Sequence, residues 1–179
     1  MTTDHRWETA IHEAGHAVAA IVLGGKCTHA ELTLDSGHVL LDELSPDDRA
    51  FAVSAGPAAE FLAGLHEPPP RPMGEMGQGS VDLGHLPEPH TSPETPAKEP
   101  SWFSPPDDVK VARWAIEGCE KEPERWASRV YFARHIAHKI IEDHRDEILT
   151  LASRLYLAGQ LDQAEVLEAI FQTREAIER

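Results

Sequence analysis

The sequence predicts a mainly α-helical fold with one small β-hairpin. Apolar residues recur at three- and four-residue spacing in the stretches 3–24, 45–64, 107–116 and 123–158, and again near the end of the chain. Period-two alternation is confined to 29–34 and 37–41, on either side of the turn-type cluster Asp35-Ser36-Gly37. Eleven of the fourteen prolines are gathered between positions 68 and 106, which removes that stretch from any packed core.

A chain of 179 residues with 41% hydrophobic content can bury one ordinary core, so 1–179 reads as a single domain interrupted by a Pro-rich, flexible insertion at 65–104. Thirty-one acidic residues against sixteen basic ones give a net charge of −15, which argues against nucleic acid and against an anionic membrane as partner. Cys27 and Cys119 are isolated thiols without CxxC spacing, so no disulfide framework and no cysteine metal site is expected. No secretory leader and no apolar run of membrane-spanning length is visible. A soluble, cytoplasmic protein is the expectation.

The first helix, 3–24, has Thr3 or Asp4 as its N-cap and Gly24-Gly25 as its stop. It carries His12-Glu13-Ala14-Gly15-His16, a His-Glu-x-x-His motif. Histidines four apart lie one turn apart on the same helix face and can send both imidazoles to one zinc ion. Glu13 then stands beside the ion, placed to take a proton from the attacking water and pass it to the leaving amine. Gly15 keeps a side chain away from the metal, and Ala14, Ala17, Val18, Ile21 and Val22 form the stripe that faces the core.

The strand pair that follows can offer an edge to an extended peptide, held by main-chain hydrogen bonds. Alternation alone explains His29 and His38 as solvent-facing strand residues. The second helix starts with Ser45 as cap and Pro46 as its first residue, and Gly56-Pro57 is expected to kink or split it. Glu60 stands in an otherwise apolar segment of this helix. It is an exposed helix residue, a carboxylate that orients a ligand histidine, or a ligand itself.

Beyond the insertion, Asp107 and Asp108 open a helix at the end where negative charge is favoured. One long helix over 123–158, stopped by Gly159, carries His135, His138 and His144. A last helix starts near Asp162, with Glu165 completing a variant of the capping box. A histidine at position 22 would extend the zinc motif into the metzincin pattern, but Val22 stands there, so the third ligand must come from elsewhere.

The chain resembles the peptidase domain of FtsH, the ATP-dependent zinc metalloprotease. The residues that carry the likeness are His12-Glu13-Ala14-Gly15-His16-Ala17, the strand pair around Glu31-Leu32-Thr33-Leu34 and Gly37-His38-Val39-Leu40, and Ala55-Gly56-Pro57-Ala58-Ala59-Glu60. Asp108-Val109-Lys110-Val111-Ala112 and the segments from His144 and Gly159 continue it in the family's order. The resemblance implies a zincin-like helical peptidase domain with His12, His16 and Asp108 as zinc ligands and Glu13 as catalytic base. Asp108 is preferred to Asp107 because its spacing to Ala112 fits the family's Asp-Ile-x-x-Ala. Asp82 is a rival, closer to the separation from Glu60 that the family shows.

FtsH also carries a membrane anchor and an ATPase module, and neither is visible here, nor is a phosphate-binding Gly-x-x-x-x-Gly-Lys loop. The expectation is therefore an ATP-independent zinc metalloendopeptidase acting on peptides or unfolded protein segments, as a homo-oligomer or with a separate ATPase partner. The alternative is a non-catalytic zinc-containing module that binds and regulates a partner protein. In the peptidase reading the Pro-rich insertion acts as a lid over the cleft.

Overall fold

The computed structural model describes residues 5–33, 36–66, 107–118 and 125–177, without the side chains of 108 and 175–177. Most of the insertion, Asp82, Cys119 and the side chain of Asp108 therefore lie outside the described residues, and with them the expectations that rest on them. Among these residues six helices and three short strands follow in the order α1 (His5–Val22), β1 (Lys26–Leu32), β2 (Gly37–Asp42), α2 (Pro46–Ala63), α3 (Asp107–Glu117), α4 (Trp126–Asp143), α5 (Arg145–Ala158), β3 (Gln160–Asp162) and α6 (Gln163–Ile177). The chain is mainly helical with a small antiparallel sheet. No helix among the described residues is long and apolar enough to cross a membrane.

The first helix is the hub. It packs on α2, α4, α5 and on both strands of the hairpin, so burial runs almost all the way round it from Ala10 to Ala20 rather than along one stripe. Small side chains make this crowding feasible. A Cβ on Gly15 would stand 2.7 Å from the Cβ of Ala59 and 2.8 Å from the carbonyl oxygen of Ala55. The space that Gly15 vacates is thus taken by the backbone of α2, not by the metal site, as its place in the motif had suggested. Gly24, at φ 84°, ends α1, with the amide of Gly25 donating to the carbonyl of Ala20.

The sheet has the order β2-β1-β3, with both pairings antiparallel. Glu31 faces His38 across the hairpin, and Ala30 pairs with Leu161 on the other side. The third strand, only three residues long, falls below what alternation can reveal, so the expected hairpin is in fact a three-stranded sheet.

Two helix expectations need correction. Pro57 does not split α2, which runs unbroken from Pro46 to Ala63 with the side chain of Ser45 accepting from the amide of Asp48. Pro57 is exposed and its neighbour Val53 only partly buried, so the carbonyl deprived of a helical partner lies near solvent. The long helix, in contrast, is two. His144 leaves helical geometry (φ −122°, ψ 28°), and its ring is hydrogen-bonded at 3.0 Å to Glu147 in the first turn of α5. At the C-terminal end the capping box is complete: the amide of Glu165 donates to Asp162 and that of Asp162 to Glu165, both at 2.9 Å.

The third helix matters most to the site, because it carries Asp107 as its first residue. It is seated by buried Val111 and Ala115, and by the Trp114 indole donating to Asp47 at the start of α2. Arg129 of α4 lies 4.2 Å over the Trp114 ring and donates to the same Asp47 carboxylate.

Candidate metal centre

Helical spacing places His12 and His16 on one face of α1, and their rings meet edge to face with 4.6 Å between centroids. Their Nε2 atoms are 3.0 Å apart, and Oδ2 of Asp107 lies 3.0 Å from the first and 2.9 Å from the second. Three donor atoms from two helices that are 95 residues apart in sequence thus converge on one point. The carboxylate brought to the histidine pair is that of Asp107, the alternative which the sequence ranked behind Asp108.

The outer hydrogen bonds decide what converges there. Nδ1 of His16 is 2.8 Å from the carbonyl oxygen of Ala52, which can only accept, so this nitrogen carries the proton. The amide of Gly56, 3.2 Å from the same nitrogen, is the longer and competing contact. Nδ1 of His12 likewise faces a carboxylate oxygen of Glu60 at 2.7 Å. With both protons on Nδ1, the two Nε2 lone pairs and Oδ2 of Asp107 are three acceptors aimed at one another. Such an arrangement needs a cation or added protons between them. Two imidazoles and a carboxylate suit zinc, whose bonds of about 2.0–2.2 Å can reach all three. Carbonyl and carboxylate partners on the far nitrogens are what orient ligand histidines in metal sites generally.

The second helix supplies this outer layer from one side. Ala52, Gly56 and Glu60 are spaced four apart and form a row facing α1. A Cβ on Gly56 would stand 2.4 Å from Cε1 and Nε2 of His16 and 2.8 Å from Nε2 of His12, so only glycine leaves the rings their places. Sequence reasoning singled out Glu60 but passed over Ala52 and Gly56. The four-residue spacing back from Glu60 was the available signal.

The electrostatics favour positive charge. Burial pushes the His12 imidazole towards losing its proton, but Asp107, Glu13 and Glu60 outweigh this and hold its pKa above the ordinary value. Burial likewise pushes the Asp107 carboxyl up, yet hydrogen bonds with His12, His16 and Lys110 hold it well below the usual carboxylate range. Lys110 lies 2.9 Å from Oδ1 of Asp107, on the oxygen turned away from the histidines.

Glu13 is buried on the strand side of α1. Burial raises its pKa, the two imidazoles draw it back, and the charge of Asp107 adds to the rise. A Cβ on Gly37, at the start of β2, would stand 2.6 Å from its Cγ and 2.9 Å from its Oε1, so this outer strand of the sheet reaches the carboxylate closely. A cleft of about 610 Å³ opens over His12, Glu13, Glu60, Thr9, Pro57 and Phe61. Beyond Pro57 and Phe61 lies a second groove of about 290 Å³, lined by Val53, Ala58, Val111, Arg134, His138 and Asp107. His135 stacks on Tyr131, and among the described residues neither it nor His138 joins a group able to hold a metal. No protein-family model matches the chain, and no curated protein matches it in sequence.

Proposed function

We propose that the chain is a zincin-like zinc metallopeptidase of the FtsH peptidase type, in which His12, His16 and Asp107 hold the ion and Glu13 is the general base. The observation that carries this reading is the convergence of three acceptor atoms beside a buried carboxylate whose pKa is raised. When bound, zinc supplies Lewis acidity, polarising a carbonyl and making water acidic enough to deprotonate near neutral pH.

The chain's own residues provide the rest. An extended peptide pairs with the outer strand β2, which sets its scissile carbonyl over the histidine pair through main-chain hydrogen bonds. Glu13 accepts a proton from the attacking water and returns it to the amine as the peptide bond breaks. Its raised pKa makes it a stronger proton acceptor than an ordinary carboxylate. Glu60 and the Ala52 carbonyl keep the two imidazoles in the tautomer that presents Nε2. The groove beyond Pro57, mostly apolar with Arg134 at its wall, accepts a neighbouring side chain of the substrate.

The test is zinc content by elemental analysis, with cleavage of an unfolded protein such as casein followed in parallel. Wild type should hold zinc at this site and cleave. Glu13→Gln should keep the zinc and lose about 10²–10⁴-fold in turnover, the usual share of a general base. Asp107→Ala should hold one zinc equivalent fewer than wild type, whereas Asp108→Ala and Asp82→Ala should match wild type. A zinc content in Asp107→Ala equal to that of wild type would remove that residue from the ligand set. Undiminished cleavage in Glu13→Gln would overturn the mechanism.

A further inference from the structure

The hairpin carries a second set of metal-binding side chains that the peptidase reading does not use. His29 and Glu31 are two apart on β1 and therefore share a face, and Glu31 lies directly opposite His38 on β2. Oε2 of Glu31 is 3.6 Å from Nε2 of His29 and 3.5 Å from Nε2 of His38, and the donor atoms of all three residues lie within 4.8 Å of one another. These separations exceed those of good hydrogen bonds. They are close to the roughly 3–3.5 Å that separates two ligands each about 2.1 Å from one zinc ion. The central strand is paired on both sides, with β2 and β3, so the backbone beneath the cluster is held in register.

We propose that His29, Glu31 and His38 form a second, solvent-accessible binding site for a borderline divalent transition metal, with Zn²⁺ the reference ion. Two imidazoles and one carboxylate favour zinc, nickel or copper over calcium or magnesium, which prefer all-oxygen shells. The three side chains approach from one face of the sheet, so the remaining coordination positions are filled by water. Partial exposure of all three residues lets the ion exchange with solvent. The site shares no ligand with the His12 centre and lies on different elements, while His38 is near enough to Glu13 to act on its charge.

The experiment is equilibrium dialysis of the full chain against micromolar free zinc, followed by elemental analysis. Wild type should take up two equivalents. His38→Ala and Glu31→Gln should each take up one, with a loss of affinity for the second that exceeds the 10–100-fold cost typical of removing an outer partner. A His12→Ala, His16→Ala double variant should keep the hairpin equivalent, and X-ray absorption on it should show two imidazole ligands. If the double variant does not fold, the wild-type and His38→Ala counts decide, since the zinc left in His38→Ala reports that the α1 site is intact. Equal counts in wild type and His38→Ala, whether one or two, would overturn the proposal. Failure of the peptidase reading would show instead as absent cleavage with the hairpin equivalent still present.

Discussion

A methyl group at position 56 is the smallest change that should disable the centre. Alanine is a better helix former than glycine by about 1 kcal/mol, so Gly56→Ala favours α2 locally while forcing both imidazoles aside. The expected outcome is a folded protein that holds one zinc equivalent fewer than wild type, read by circular dichroism and elemental analysis together; zinc uptake equal to wild type would contradict the ring positions. Glu60→Gln should be milder, weakening zinc by about 10–100-fold in a chelator competition, because it changes a partner of His12 and not a ligand. Cys27 gives a residue-scale expectation of another kind. Burial pushes its thiol up to about 11, against a lowering contribution from the backbone of His29. In a Cys119→Ser chain, Cys27 should react with a thiol reagent far more slowly at pH 8 than the unfolded chain does. At this scale His12, Glu13 and His16 were legible because helical spacing alone unites them. The choice between Asp107 and Asp108 was not, because both stand in the first turn of a helix, where negative charge is favoured at either position.

Among the elements, the junction of α4 and α5 shows what periodicity conceals. The apolar positions Ala137, Ile140 and Ile141 before it and Ile148 and Leu151 after it are all buried, and no glycine or proline marks the break. The local chemistry lies in Glu147, whose carboxylate is buried against His144 and Arg174. Burial alone would raise its pKa, but the hydrogen bond with His144 and the nearby Arg174 bring it below the usual carboxylate value. A depressed folded-state value contributes stability above the unfolded pKa of about 4.3, and that contribution is lost as pH falls through the folded one. Glu147→Gln should therefore cost about 1–3 kcal/mol in urea unfolding at pH 7, and the gap to wild type should narrow as the pH is lowered below about 4. The start of α2 and the box at α6 were readable in advance, since Ser45-Pro46 and Asp162 with Glu165 act within a single turn. The third strand was not, because its three residues become a strand only where β1 is there to pair with them.

For the molecule as a whole, the ion would join α1 to α3 across the insertion and so act as a staple. A ligand that binds only the folded state stabilises it by RT ln(1 + [L]/Kd), about 4 kcal/mol at a thousandfold excess over Kd. Chelation should lower the melting temperature of wild type by several degrees and that of Asp107→Ala by less, which a pair of thermal scans would show. The sheet sets a different constraint. Its central strand is made early in the chain, yet one of its two neighbours, β3, lies about 130 residues later. During synthesis β1 can pair with β2 almost at once, while its other edge waits until the residues of β3 have also emerged from the ribosome. Until then the nascent chain presents an open strand edge to any other chain nearby, and molecules cut short before Gln160 keep that edge for good.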